Sequence, residues 1–285
     1  MLNTISSIRE FICFNQKQTI KYEYIISEQH KELKQFFMKN DKKNSDELKI
    51  KYEEFVVQSY KNLFTVFSSN KQYINNIFKS LDKKESPRIT IKTIHGEKVL
   101  NIYRSTKATN FHSSFIKKNT GFFEILYNNK TSFLCNDIPS AFKNGTYENP
   151  RLDSSKKKLF QSTQIEWKDC WLSSDQDNFL EYYSSTLIIP MSIRSDESDL
   201  KEQNFYDHFF REIAHNQDSR TVWGFLCFDN PSTNYFTLEK EKEFEEISYI
   251  IADILSLYLM YFYNHISGSS TIQEIEETIG LISFS

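Results

Sequence analysis

The chain has 285 residues and a mass of 33.9 kDa, a length that suits one large domain or two smaller ones. It carries 35 basic and 38 acidic side chains, and this near balance argues against a protein whose main partner is nucleic acid. Only 6 Gly and 5 Pro exclude collagen-like and low-complexity chains, whereas 25 Phe and 16 Tyr supply the apolar surface of a substantial core.

The N-terminal part of the chain is predicted to form two long helices. Apolar side chains recur every three or four residues over residues 5–37, and again over residues 52–81. The polar stretch 39–44 separates the two patterns. Pro87 ends the second helix, because the residue before a proline is forced out of the helical region. Residues 1–86 are therefore expected to form an antiparallel helical hairpin.

After Pro87 the pattern changes from helical to alternating. Residues 88–94 and 98–103 alternate at a period of two around the turn residues His95 and Gly96, which predicts a β-hairpin. Further along the chain, a short helix and three more strands are expected at residues 121–127, 132–135, 185–193 and 220–228.

The remaining segments are predicted to connect or follow these strands. The polar connection 138–180 is expected to hold one helix near residues 163–171. Helical segments are also expected at 196–216, from about 237 to beyond 261, and at 272–281 within a flexible tail.

Four of these stretches resemble elements of the GAF domain family, in the same order. Residues 121–137 resemble its short helix, a turn with a lysine and a strand ending in aspartate. Residues 185–191 resemble its proline-bearing strand, and 222–229 the next strand with its early glycine. Phe236 and the helix after it resemble the final element. The resemblance covers about residues 87–265 and implies an α+β fold: a GAF-like central antiparallel sheet of five or six strands flanked by helices, preceded by an N-terminal α-helical hairpin.

The resemblance also implies a domain organisation and a role. Residues 1–86 would be the hairpin, 87–266 a GAF-like sensor domain and 267–285 a C-terminal tail. GAF domains are typically small-molecule sensing modules, and many dimerise through flanking helices. No output module fits the residues left over, so we expect a non-enzymatic regulatory protein that binds a small-molecule ligand and signals to a separate effector protein.

The GAF domains that bind cyclic nucleotides carry the signature Asn-Lys…Phe-x-x-x-Asp-Glu, which this sequence matches only in part. Asn230 and Phe236 match that signature, but Pro231 replaces the lysine. Glu239 and Lys240 are the only counterpart of the acidic pair, one position early. Binding of a cyclic nucleotide is therefore not expected.

The resemblance places the ligand face of the sheet beneath the connection 138–180. Aromatic and charged side chains from that connection and from strand ends could line a small-molecule site, since such sites combine apolar surface with a few polar groups. The alternative is that these aromatic side chains only fill a core. The candidate ligand-binding residues are Asp137, Trp167, Asp169, Trp171, Arg194 and Trp223.

Two other functions remain open as alternatives. The first is a degenerate GAF scaffold that serves as a protein–protein interaction module. The second is a thiol-dependent enzyme, because stand-alone GAF proteins that reduce free methionine sulfoxide exist. Such an enzyme needs a reactive thiolate and a resolving cysteine. Cys135 and Cys170 lie far apart in the sequence and Cys227 lies on a buried-looking strand, so no catalytic residue is predicted.

Metal, cofactor and membrane sites are not expected. The six histidines are scattered along the sequence. His208 and His215 lie seven residues apart on an acidic insertion, and we expect them to lie on its solvent-exposed face rather than to bind a metal ion. No glycine-rich phosphate loop occurs. The most apolar stretch, residues 247–262, is shorter than a membrane span. Without a signal-peptide pattern, the cysteines are expected to be reduced in a cytoplasmic protein.

The last helix predicts how the chain assembles. It is apolar around most of its circumference from Ile254 to Phe262, more than one sheet face can cover. A helical bundle of residues 5–82 and 239–265 would bury this surface, either within one chain or across a two-fold axis. We expect a homodimer through the N- and C-terminal helices.

Overall fold

The computed structural model contains six α-helices and one six-stranded antiparallel sheet among its described residues, as the α+β prediction requires. The predicted helices at 196–216 and 272–281, and the turn residue Gly96, lie outside those residues. The described ranges are 2–39, 45–82, 86–95, 97–106, 113–172, 182–194, 220–236 and 241–266.

The chain divides into two compact units, and the first consists of long helices. Helix α1 spans Leu2–Lys39 and helix α2 spans Ser45–Asp82. They are antiparallel, because Asn15 contacts Asn70 whereas Phe36 contacts Lys51. The predicted hairpin is therefore confirmed.

The third helical segment of this unit is the second half of the last helix. This helix, α6, spans Glu241–Ile266, and its residues from Ile254 onward belong to the first unit. The ring of Tyr258 meets the rings of Tyr22 and Phe67 edge-on, with centroids 5.5 and 6.3 Å apart. These fully buried aromatic rings explain the wide apolar circumference of α6.

The second unit is built on the sheet, which has the strand order β3-β2-β1-β6-β5-β4. All predicted strands are present, and one short strand, β3, is added at an edge. The central position of β1 and β6 matters for the site, because the two strands pair with each other and bring their side chains together. The strands are β1 Arg88–His95, β2 Lys98–Arg104, β3 Ser113–Phe115, β4 Phe133–Cys135, β5 Ser185–Arg194 and β6 Arg220–Asn230.

The two faces of the sheet differ in polarity because side chains alternate along each strand. One face is apolar and buried, and it includes Ile89, Ile91, Leu187, Ile189, Leu226 and Phe228. The opposite face is apolar where helix α3 (Thr120–Leu126) packs on it, through a cluster that includes Phe122 and Phe225. Further along β1 the same face becomes polar. Gly224 allows close pairing of β6 with β1, since a Cβ there would overlap the carbonyl oxygen of Lys92.

The connection between β4 and β5 differs from the prediction of one helix near residues 163–171. Its described residues hold α4 (Ile138–Asn144), α5 (Lys157–Gln161) and two 3₁₀ helices, at Ser154–Lys156 and, in the predicted region, at Trp167–Cys170. The backbone explains the difference, because Thr163 has φ 58°, a left-handed conformation in which no helix can begin. Asp137 caps the start of α4 by accepting a hydrogen bond from the Ser140 amide.

Candidate functional site

An aromatic cluster fills the β4–β5 connection. The rings of Trp167 and Trp171 meet edge-to-face at 5.5 Å, and Trp171 lies 4.5 Å from the ring of Tyr183. Trp167 Nε1 donates a hydrogen bond to the backbone carbonyl of Tyr183 at 3.1 Å. Phe142 and Phe160 complete the cluster around Trp167. These contacts fix the conformation of an otherwise irregular segment.

Charged and phenolic side chains gather between this connection and the polar face of the sheet. Cross-strand pairing places Arg88 opposite Asp229, Thr90 opposite Cys227 and Lys92 opposite Phe225, and paired residues share a face. We call the following residues the polar cluster: Arg88, Lys92 and Arg104 from β1 and β2, Asp229 from β6, and Tyr147, Arg151 and Tyr183 from the β4–β5 connection.

Lys92 is the most unusual member of the polar cluster. Its ammonium lies 5.2 Å from the centroid of the Phe122 ring, and burial lowers the pKa of Lys92 to about 8. The charges of Arg104 and Arg151 lower this pKa further, whereas Cys227 and Asp229 raise it. Within the part of the chain that the structure describes, Lys92 Nζ has no hydrogen bond and no ion pair.

Asp229 is the one carboxylate of the cluster. It accepts a hydrogen bond from the Thr186 hydroxyl at 2.7 Å, and no cation forms an ion pair with it among the described residues. Burial raises the pKa of Asp229, against the opposing effect of Arg88 and that hydrogen bond. The carboxylate and the cations are therefore held close enough to influence one another but too far apart for direct contact.

The two phenols of the cluster are joined by an amide. Asn149 Nδ2 donates a hydrogen bond to the Tyr183 hydroxyl at 2.6 Å and approaches that of Tyr147 at 3.4 Å. Burial raises the pKa of both tyrosines, and the charge of Asp229 raises it further. Both phenols are therefore neutral at physiological pH and can only donate or accept hydrogen bonds.

Polar atoms at this site that lack hydrogen-bond partners among the described residues include one on Arg88 and one on Asn101. Arg88 donates through Nη2 to the Tyr182 carbonyl and lies over the Tyr183 ring, but its Nε is unpaired. Asn101, which pairs with Lys92 across β1 and β2, is only 6% exposed and its Oδ1 is also unpaired. Buried polar atoms without partners are unfavourable, so such atoms are where a bound molecule would be stabilised.

The six residues predicted to bind ligand are only partly brought together. Trp167 and Trp171 meet in the aromatic cluster, and Asp169 between them accepts a hydrogen bond from the Glu166 amide. Asp137 is exposed at the start of α4, and Trp223 is buried within β6. Arg194 ends β5 opposite Arg220, and its side chain lies outside the described part of the structure.

The polar cluster itself was missed by sequence reasoning, although a signal was present. Polar residues occupy alternate positions Arg88, Thr90 and Lys92 in β1, and the same period relates Cys227 to Asp229 in β6. Such alternation normally indicates a solvent-exposed face. Only the strand order shows that β1 and β6 are neighbours at the centre of the sheet, which brings these side chains together on one face.

The cysteines show no sign of catalytic activation. Burial raises the pKa of Cys135, Cys170 and Cys227, so all three favour the neutral thiol. Cys13 lies exposed on α1 in the other unit. Among the described residues no group of His, Cys, Asp and Glu could hold a metal ion, and no described helix is long and apolar enough to span a membrane.

Comparison with known proteins gives only likenesses to solved structures at low identity and low TM-score. No protein-family model matches the chain, and no curated protein matches it in sequence. A type II free methionine-R-sulfoxide reductase from Thermoplasma acidophilum is similar over 72% of this chain and 96% of its own, with 12% identity and a TM-score of 0.38. A far-red cyanobacteriochrome photoreceptor is similar over 72% of this chain and 89% of its own, with 12% identity and a TM-score of 0.38. The GAF domain of A. aeolicus nlh2 is similar over 72% of this chain and 98% of its own, with 7% identity and a TM-score of 0.35.

Proposed function

We propose that this chain is a non-enzymatic regulatory protein that binds a small molecule in its GAF-like unit, between the polar face of the sheet and the β4–β5 connection. One observation carries the proposal: Lys92 is held in a central strand, close to other charged groups, with neither a hydrogen bond nor an ion pair in the described structure. A charged group in such a position is costly for folding, so its presence favours a role in binding.

The aromatic cluster supplies the apolar part of the proposed site. Trp171 is 2% exposed, its Nε1 has no acceptor among the described residues, and the guanidinium of Arg151 lies 5.7 Å from its ring centroid. A site bordered by aromatic rings and a few polar groups suits a small organic molecule.

The proposal is tested by a thermal-shift screen of metabolites and nucleotides, followed by tryptophan fluorescence titration of each hit. We expect a saturable fluorescence change in the wild type, because Trp167 and Trp171 border the site. The change should be strongly reduced in the double variant Trp167→Phe/Trp171→Phe and retained in the control variant Trp223→Phe. Silence across a broad screen would contradict the proposal and favour a degenerate scaffold that only binds other proteins.

The thiol-enzyme alternative is tested separately by the reactivity of the cysteines. The exposed Cys13 serves as an internal reference in the same sample. Because burial raises the pKa of Cys135, Cys170 and Cys227, we expect iodoacetamide to modify these three thiols much more slowly than Cys13 in the folded protein. A time course read by peptide mass spectrometry measures all four rates. Modification of Cys135 or Cys170 faster than Cys13 would revive the enzyme hypothesis.

The signal is proposed to leave through the helices to a separate effector protein. Helix α6 has residues in both compact units, so it links the ligand-binding unit to the helical unit along one continuous element. We also propose that the protein acts as a homodimer.

A further inference from the structure

A group of exposed lysine and aromatic side chains lies at the β3 edge of the sheet. Phe115 of β3 is 44% exposed, and the ammonium groups of Lys98 and Lys118 lie 5.2 and 5.7 Å from the centroid of its ring. Tyr127, which follows α3, is 38% exposed, and Lys117 Nζ lies 5.9 Å from its ring centroid. We call these five residues the edge patch. Exposed apolar groups that are clustered and rimmed by polar residues mark interaction surfaces.

The lysines of the edge patch differ in their partners. Lys117 forms an ion pair with Glu97 at 3.3 Å. Lys98 and Lys118 form no ion pair and no side-chain hydrogen bond among the described residues, and both are exposed beside the Phe115 ring. The carboxylate that these two lysines lack within the described chain can come from another molecule, since charge complementarity favours such an encounter.

The backbone at this edge is also open to a partner. Strand β3 is the last strand of the described sheet on this side. The Ile116 amide donates to the Glu97 carbonyl at 2.9 Å. Because inward- and outward-facing backbone groups alternate along an antiparallel strand, the Phe115 amide points away from β2, and it has no backbone partner among the described residues. An extended peptide can therefore pair with this edge beside the Phe115 ring.

We infer that the edge patch binds an extended, acidic and apolar segment of another protein. Carboxylates of such a segment pair with Lys98 and Lys118, and its apolar side chains pack against Phe115 and Tyr127. The inference rests on the proposed function in one respect, since it gives the effector protein of that proposal a docking surface and a chemistry.

A nucleic acid is a less suitable partner for the same surface. Binding of a phosphate backbone needs a track of several basic side chains. The edge patch offers only Lys98 and Lys118 without an acidic partner in the described structure, and the whole chain has a net charge of -3. An acidic peptide needs fewer cations, because its apolar side chains contribute to binding as well.

The test is fluorescence anisotropy of a labelled synthetic peptide in which glutamate alternates with leucine and tyrosine, titrated with the full chain. We expect saturable binding that weakens as salt is added, because exposed charges are screened by salt. The same peptide with glutamine in place of every glutamate should bind about tenfold more weakly or less. Both comparisons use the wild type, so they do not depend on the folding of a variant.

Variants show whether the peptide binds at the edge patch. Lys98→Glu/Lys118→Glu should weaken binding of the acidic peptide by about tenfold or more, because two attractive charges become repulsive. The control Lys17→Glu/Lys158→Glu makes the same change of net charge at two exposed lysines outside the patch, and it should leave the affinity unchanged within about twofold.

The inference is overturned if the acidic peptide does not bind saturably, or if both double variants weaken it equally. Single-stranded oligothymidylate that binds more tightly than the peptide, and only when Lys98 and Lys118 are present, would make nucleic acid the partner instead. The proposed ligand site is tested independently, because a thermal-shift hit should bind Lys98→Glu/Lys118→Glu as well as it binds the wild type. If such hits bind and the peptide does not, the ligand site stands and the docking surface is wrong; if only the peptide binds, the reverse holds.

Discussion

Lys92 is a charged side chain in a central strand, and this position has a measurable cost for folding. Its pKa is about 8 in the folded protein and about 10.4 in an unfolded chain. Below pH 8 both states carry the proton, so the folded state bears the cost of a partly buried charge. Between these values only the unfolded state keeps the proton, so the contribution of Lys92 to the free energy of unfolding rises with pH.

We therefore predict that Lys92→Met is more stable than the wild type below about pH 8, by about 3 kcal/mol at most. The difference should shrink steadily as the pH rises toward about 10. Urea unfolding of both proteins across this range measures it, and subtraction cancels most of the cysteine and tyrosine titrations shared by both. A constant difference, or a less stable variant at neutral pH, would contradict the assignment.

The same residue shows how far the sequence could predict the site. The alternation Arg88-x-Thr90-x-Lys92 correctly predicted a strand, because side-chain period is a local property. Which side chains meet depends on the strand order, which brings β1 beside β6 from more than a hundred residues away along the chain. Trp167 and Trp171 were predicted as ligand-binding residues, because large aromatic side chains stand out in a polar segment. The charged residues of the polar cluster do not stand out in this way and were not predicted.

The short helices α4 and α5 explain why the β4–β5 connection was less predictable than the strands. Each is only five to seven residues long, too short to be stable alone or to show a clear apolar period. Local signals mark their ends instead, with Asp137 capping the start of α4 and Gly145 ending it at φ 75°. By contrast, α1 and α2 have 38 residues each, and their period was evident from the sequence.

The long helices of the first unit contain a buried polar network that the apolar pattern did not reveal. Asn15 Nδ2 donates to Asn70 Oδ1 at 2.7 Å, and the Tyr258 hydroxyl donates to Asn15 Oδ1 at 2.8 Å. Both asparagines are at most 2% exposed. A buried amide pair favours the one alignment of helices in which both amides are satisfied. This network therefore links α1, α2 and α6 in a single register.

We predict that Asn70→Ala lowers the free energy of unfolding by about 1 to 3 kcal/mol, because Asn15 Nδ2 loses one of its two acceptors in a buried site and keeps only the Phe11 carbonyl. The control Gln58→Ala removes an exposed side chain from the same helix, and it should change stability by less than about 0.5 kcal/mol. The double variant Asn15→Leu/Asn70→Leu should recover part of the loss, since both amides are removed together and the Tyr258 hydroxyl can still donate to the backbone carbonyl of residue 15. Denaturant unfolding followed by circular dichroism measures all three, and equal effects of Asn70→Ala and Gln58→Ala would show that the pair is unimportant.

The proposed homodimer would need apolar surface that the described chain leaves exposed. Leu255 and Phe262, on the apolar part of α6, are buried within the first unit, so the three helices cover each other there. On α2, however, Ile50 and Val57 lie seven residues apart and are 55% and 52% exposed. A seven-residue apolar repeat is the pattern by which one helix packs along another. A second copy of the same helix is a fitting partner, since two-fold dimers pair identical surfaces.

This arrangement predicts that the wild type scatters light at micromolar concentration with twice the 33.9 kDa mass of one chain. Val57→Glu should convert it to a monomer, because a carboxylate in an apolar interface loses its hydration without gaining a partner. The monomer should keep its helical content, since Val57 is already half exposed in one chain. The neighbouring control Gln58→Glu introduces the same charge beside the repeat and should leave the dimer intact. A wild type with a mass of 33.9 kDa would contradict the predicted dimer. Equal dissociation of the dimer by Val57→Glu and Gln58→Glu would show that the added charge, and not the loss of apolar contact at Val57, separates the two chains.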